Sequence, residues 1–381
     1  MTSLNSEAKF QRLKSLISRH MEYNGVNIIR EDWRVSFRTF VCATFVLMQP
    51  FVNISSFLYY SHSLDMLTEN LSLGCSGIQL VVRTYFYLCQ RDLCRNVIRE
   101  IGEQRLLLGL PDNERMEQLF CKSFDWMARY YWIMHASYLS AITFIAMALV
   151  IPDPKKHGLP LAYRLPLLPP DEQDLYWYIT FAYHVGLILM AIHYLVPIDG
   201  MMMVSLFSAR TRVHALKVLL EELDEKIGLS EWQRTEHLEA NLNRIIELHV
   251  SIRRFTRLIN NSYQLHYFTV FGTICFVLCL SVNLIVVTPK NSIYNYLLAS
   301  ICQLFVGCYF GNLLLIENDS LSSCVYCIRW YRMTIAQQKK ILILITNTQP
   351  DLQVSALFLP VNMASFVTII RAAYSFFTVI H

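Results

Sequence analysis

Four ionisable side chains fall inside otherwise apolar stretches of this 381-residue sequence: Arg83, His184, Asp199 and Arg371. A charge among lipid tails is costly unless it faces protein, water or a partner, so such residues are functional candidates by default. Their spacing suggests no proton relay. His135, His193 and His266 read as satisfied interior histidines. Cys324-Val-Tyr-Cys327 has a CxxC spacing, but zinc takes four ligands and no second pair or histidine cluster accompanies it. The 11 cysteines therefore read as packing residues or free thiols. HExxH, GxSxG, the phosphate-binding glycine loop and the dinucleotide fingerprint are absent, so neither an enzyme nor a metal or cofactor is expected.

The elements that carry these residues are membrane helices. The chain is 54% hydrophobic and 16% charged with a mean hydropathy of +0.34, too apolar for a surface facing only water. A hydrocarbon core of ~30 Å takes roughly 20 mostly apolar residues in a helix, because lipid satisfies no backbone polar group. Seven stretches qualify: Phe37 to Tyr60, Leu67 to Leu88, Tyr130 to Ile151, Leu175 to Met203, Tyr263 to Val287, Tyr296 to Ile316 and Ala356 to Ile380. The second contains Arg83, which must snorkel to the inner surface or face protein. The fold class expected is all-α: a polytopic membrane protein of seven transmembrane helices, forming a single domain over residues 1–381.

Lysine and arginine set the orientation. The flanks and loops on one side hold 27 of them; the other side holds Lys155, Lys156, Arg164 and Lys290. This places the N-terminus in the cytoplasm and the C-terminus outside, the reverse of a G-protein-coupled receptor. A net charge of +4 is too small to imply a nucleic-acid partner. The first 36 residues lack the apolar core of a signal peptide and are expected to form a solvated amphipathic helix on the membrane surface. Beyond the fourth span, Val213, Leu216, Leu219, Leu220, Leu223 and Ile227 recur at three- and four-residue steps. After a break at Gly228-Leu229-Ser230 the pattern resumes over Leu238 to Ile252, giving extended cytoplasmic helices or an internal helical hairpin. The proline-rich segment Pro152 to Asp174 is expected to be an ordered external lid. Among the glycosylation sequons, only Asn70-Leu-Ser lies near the outer mouth.

From Ser320 onward the chain reads Ser320-Leu-Ser-Ser-Cys-Val-Tyr326-Cys-Ile-Arg-Trp330-Tyr331. A basic helix with Gln337-Gln338-Lys339-Lys340 follows, then Gln349-Pro350, and a last span ends Ala373-Tyr374-Ser375-Phe376-Phe377-Thr378-Val379-Ile380. This order resembles the C-terminal signature of the insect odorant receptor family. The likeness is specific over about the last 65 residues and generic elsewhere, where it includes Asp199 and a following helix with His214. The family's shared co-receptor, Orco, has a longer loop before its fifth span and a Gln near its end. Gustatory receptors favour Thr-Tyr and a Gln close to the end. The chain departs from both, which favours an odour-tuning subunit.

The resemblance implies a ligand-gated non-selective cation channel in the plasma membrane of olfactory neurons, assembled with Orco as a heterotetramer, in contact with membrane lipid and opened by a small volatile odorant. An odorant site by this likeness lies in the outer halves of spans two, three, four and six. The matching residues are Ile78; Tyr138, Ile142 and Thr143; Tyr178, Phe181, His184 and Ile188; and Tyr296. His184 and Thr143 are the candidates for a hydrogen bond. The pore would be lined by Ile370, Ala373, Phe377 and Ile380 of the last helix, the last two forming a hydrophobic constriction. Packing between helices or against lipid would produce the same stripe. A metabotropic seven-helix receptor would need Asp-Arg-Tyr and Asn-Pro-x-x-Tyr motifs, and a transporter would show internal symmetry. The sequence has neither.

Overall fold

The structure is a computed structural model that describes residues 5–107, 113–150, 161–166, 173–228, 231–287, 291–350 and 352–380. Helix α1 (Ser6–Tyr23) begins where the Asn5 side chain accepts from the Ala8 amide, and it buries Phe10, Leu13, Ile17 and Met21 along one face. It does not lie free on a membrane surface, as its amphipathic pattern suggested. It docks on α5 (Glu114–Val150) and α6 (Gln173–Ile227), with Lys9 paired to Asp125 and Glu117 accepting from the amide and hydroxyl of Ser6 at 2.5 and 2.7 Å. An apolar stripe that suits a lipid surface suits an apolar groove between helices equally well.

Six of the seven expected spans fall within helices, to within a residue at their ends, in α2 (Phe37–Tyr59), α3 (Leu64–Cys89), α5, α6, α7 (Glu231–Val287) and α8 (Asn291–Cys327), and the seventh overlaps α10 (Met363–Ile380). Helices α4 (Arg91–Leu107) and α9 (Ile335–Thr348) lie between spans. Helix α2 starts at a capping box between Ser36 and Thr39, which satisfies amides that begin a helix with no partner of their own. Among the described residues, four helices are long and apolar enough to cross a membrane, in Phe37–His62, Leu175–Ile227, Leu238–Val287 and Ile293–Arg332; Met363–Val379 is a shorter apolar helix. Helix α3 is less apolar because it carries Asp65, Glu69 and Arg83, and Arg83 turns toward protein rather than snorkelling.

Helices α6 and α7 run 55 and 57 residues. At 1.5 Å per residue each is about 80–85 Å long, more than twice a hydrocarbon core. Their far halves pair into one apolar seam, in which Leu216, Leu220 and Leu223 of α6 and Leu238, Leu242 and Ile245 of α7 are all buried. Extended spans and internal hairpin are thus the same object. Its tip is tied to the segment after α8, where the Arg329 amide donates to Asp224 Oδ1 at 2.7 Å and its guanidinium donates to both carboxylate oxygens at 3.1 and 3.0 Å.

The last span starts later than expected. Residues from Ala356 do not begin a helix: β1 (Ser355–Ala356) pairs antiparallel with β2 (Leu359–Pro360), and α10 begins only after Asn362, whose side chain accepts from the Ser365 amide at 3.0 Å. Pro360 has no N–H to donate and Asn362 is a good cap, so apolarity alone misplaced the boundary. The short hairpin lies against α7, and the Ser355 amide donates to Asn260 Oδ1 at 2.9 Å.

Candidate functional site

Five helices bring polar side chains to one point in the bundle. Arg83 of α3 is fully buried and donates to both carboxylate oxygens of Asp199 on α6, at 2.8 and 3.1 Å. Asp199 also accepts from Tyr138 Oη of α5 at 2.7 Å, His266 Nε2 of α7 at 3.2 Å and Gln303 Nε2 of α8 at 3.2 Å. Gln79, one helical turn before Arg83, accepts from its guanidinium at 3.1 Å and donates to Thr273 of α7 at 2.7 Å. A buried ion pair survives loss of water only when its remaining lone pairs and protons are satisfied, and this set of partners does that for the carboxylate.

The network borders a cavity of about 60 Å³, well above the ~10–15 Å³ that one water needs. Asp199, Tyr138 and Gln303 form its polar edge; Met202, Phe271 and Phe310 are among the apolar residues opposite. Of the expected ligand contacts whose side chains are described, Tyr138 alone lines this cavity.

A second cluster lies at the other end of the bundle. The described part of the proline-rich lid, residues 161–166, is inserted between helices. Tyr163 is buried and accepts from Gln49 Nε2 at 2.6 Å, Ala162 O accepts from Asn70 Nδ2 at 2.8 Å, and the Arg164 amide donates to Ser56 Oγ at 2.7 Å. Asn70 is therefore a structural donor inside the protein, with no exposure for a glycan. The Tyr163 ring lies 6.1 Å from His184, which is fully buried and, among the described residues, has no well-formed hydrogen bond on either ring nitrogen. Thr180 Oγ1, one turn earlier on α6, and Tyr183 Oη are likewise buried and unpartnered. Tyr296 bonds Ser76 through its hydroxyl and donates to Ser72 O at 3.1 Å.

The remaining expected residues scatter. Phe181 is buried and stacks on Trp177, and Ile188 is half-buried against the core. Ile78 and Tyr178 are 53% and 57% exposed and turn away from the bundle. Ile142 and Thr143 lie on α5, but their side chains fall outside the described residues, as does that of Ile380. On α10 the stripe of Ile370, Ala373 and Phe377 faces the subunit's own α7 and α8: Ala373 is 4% exposed, while Arg371, Tyr374 and Val379 point outward. Gln79, Thr273, Gln303, Gln49 and Asn70 were not anticipated. Two opposite charges in apolar stretches, with Gln79 one turn from Arg83, were the available signal.

Long apolar helices packed around a buried polar network define a polytopic helical membrane protein. The chain belongs to the 7tm odorant receptor family, whose profile matches residues 63–374. It is 25% identical over 341 residues to odorant receptor 33b of Drosophila melanogaster, covering 84% of this chain and 86% of that one. Identity to odorant receptor 33a of the same fly is 23% over 305 residues, or 77% and 78% of the two chains. The fold matches the insect olfactory receptor OR5 from Machilis hrabei solved in complex with eugenol, with a TM-score of 0.80 at 14% identity over 98% of this chain and 99% of that one.

Proposed function

We propose that this chain is the odorant-binding tuning subunit of a ligand-gated, non-selective cation channel, assembled with the co-receptor Orco in a heterotetramer. The observation that carries the reading is family membership over most of the chain, joined to an interior that holds buried polar groups with no partner of their own. The subunit sits in the plasma membrane of olfactory neurons, with its N-terminus cytoplasmic and its C-terminus outside, as the charge bias indicates.

Small volatile odorants bind inside the helical bundle, a reading supported by the likeness to OR5, which was solved in complex with eugenol. His184, Tyr296 and Thr143 form the hydrogen-bonding part of the site at the outer end, with Phe181 and Ile188 supplying apolar contact. Tyr138 links the site to the Asp199 network. A mostly apolar pocket with a few placed polar groups is what a small volatile requires. The pore is lined by α10. The exposed face with Arg371, Tyr374 and Val379 is the better candidate for it, because a residue such as Ala373, packed in its own subunit, has no surface left to line a pore.

Ligand-evoked current tests the proposal. Cells expressing this chain with Orco are expected to pass a cation current on odorant application that survives G-protein blockade. A current abolished by that blockade would overturn it.

A further inference from the structure

At the end of α7 that precedes its membrane portion, Arg254 and Arg257 face Arg99 and Asn96 of α4 across a groove of about 330 Å³, which Asn261 also lines. The groove runs into a larger one of about 940 Å³ that shares Arg254 and Arg257 and adds Arg253, His249 and Lys340. Arg99 is engaged by Asn96 at 3.0 Å and Glu103 at 3.6 Å. Among the described residues, Arg254 and Arg257 have neither an ion pair nor a hydrogen bond. Glu100 is the one carboxylate among the lining residues of the smaller groove.

An independent feature lies behind it. Arg212 of α6 is fully buried, with its guanidinium 3.4 Å from the centre of the Phe255 ring and Nη2 donating to Glu100 O at 2.8 Å. Among the described residues its Nε and Nη1 have no hydrogen-bond partner, and the Glu100 carboxylate comes no nearer than 3.9 Å. A buried guanidinium thus adds a fourth positive charge behind three at the rim, against two acids, Glu100 in the lining and Glu103 beside Arg99. Such an excess favours an anion, and the planar guanidinium fork matches phosphate oxygens.

Depth selects the anion's source. Arg257 lies about 30 residues, roughly 45 Å, before the end of α7, which is the thickness of a bilayer with its headgroups. Leu258 places an apolar residue on the membrane side of the groove.

We propose that this groove binds the headgroup of an inner-leaflet phosphoinositide, with Arg99, Arg254 and Arg257 on its phosphomonoesters and Asn96 and Asn261 donating beside them. A phosphomonoester carries more charge than the phosphodiester of other lipids and is the better match for clustered arginines. The inference rests on the cytoplasmic N-terminus proposed above, which puts α4, after the second span, on the same side.

The test uses the full chain in phosphatidylcholine nanodiscs, titrated with short-chain phosphatidylinositol 4,5-bisphosphate, phosphatidylserine and free inositol trisphosphate, with binding read by native mass spectrometry. The bisphosphate lipid is expected to bind at least tenfold more tightly than phosphatidylserine or the free headgroup. Arg254→Gln with Arg257→Gln should lose at least tenfold in that affinity, and Arg254→Lys with Arg257→Lys, which keeps the charge but not the planar fork, should lose less than the Gln pair. Equal binding of both lipids, tighter binding of the free headgroup, or an unchanged Gln pair would overturn the assignment. An epitope ahead of Met1 tests the orientation separately. Its labelling on intact cells would remove the inner-leaflet placement whatever the nanodiscs show.

Discussion

Arg83 and Asp199 stand 116 residues apart in the sequence and 2.8 Å apart in the bundle, the central contact of a polar network that joins α3, α5, α6, α7 and α8. The arrangement makes the pair a structural centre, since five helices share one carboxylate. Removing one partner leaves the other charge buried alone, which is costlier than removing both.

Asp199→Ala is therefore expected to destabilise the purified protein by about 3–5 kcal/mol, and Arg83→Met with Asp199→Leu by clearly less. Thermal unfolding in detergent reads both. Equal losses would mean that the buried guanidinium finds another partner.

Acid should loosen α1. His20 hydrogen-bonds Tyr131 Oη at 2.8 Å and lies 4.5 Å from the His135 ring. Burial, then the neighbouring His135, His193 and Arg19, push its pKa down to about 4. A base with a lowered folded pKa binds fewer protons when folded, so its neutral form favours the docked state above the usual ~6.5. That contribution is lost as pH falls from about 6.5 toward 4, on the order of 1–3 kcal/mol in all. Protection of the α1 amides, taken relative to the intrinsic exchange rate at each pH, should fall over that window and fall less in His20→Phe. Wild-type protection independent of pH would contradict the linkage.

Gly311 of α8 is where the chain leading into α10 passes closest. A Cβ there would overlap the carbonyl oxygen of Val361, a backbone atom that cannot rotate away. Gly311→Ala should cost on the order of 1–3 kcal/mol, as overpacking does, and displace the start of α10. Gly272→Ala, which meets nothing within 4 Å, is the matched control in the same thermal assay.

His184 offers a test that separates binding from folding. Its two unpartnered ring nitrogens already carry a desolvation cost, so His184→Leu should leave stability unchanged or raise it by ~1 kcal/mol. Odorants with a hydroxyl or carbonyl should then need roughly tenfold higher concentration, the value of about one hydrogen bond, while hydrocarbon odorants keep their potency. Equal shifts for both classes would remove His184 from the ligand site.

The face of α10 can be read by thiol modification during ligand-evoked current. Tyr374→Cys is expected to be modified with loss of current, and Ala373→Cys to be inert, because Ala373 is buried in its own subunit. The reverse pattern would return the pore to the stripe of Ile370, Ala373 and Phe377. Polar substitution of Phe377 and Ile380 with unchanged conduction and gating would remove those two from the pore as well.

The seam of Leu216, Leu220 and Leu223 against Leu238, Leu242 and Ile245 was legible because a helix's apolar face repeats every three to four residues in its own sequence. The start of α10 was misread because hydropathy is blind to the cap at Asn362 and the strand pairing before it. Spacing likewise gave no sign that Gln79, Thr273 and Gln303 join Arg83 and Asp199, since each contact depends on how one helix is rotated against another.

Taken alone, the sequence determined where the apolar helices lie, which connecting segments gather positive charge, and the likeness of its last 65 or so residues to odorant receptors. Those properties depend on consecutive residues meeting lipid or water. The tertiary structure decided that Arg83 meets Asp199, that α1 docks instead of floating, that Asn70 is buried and that Ala373 packs inward. Partners distant in the chain are selected by helix rotation and close packing, which no local pattern encodes.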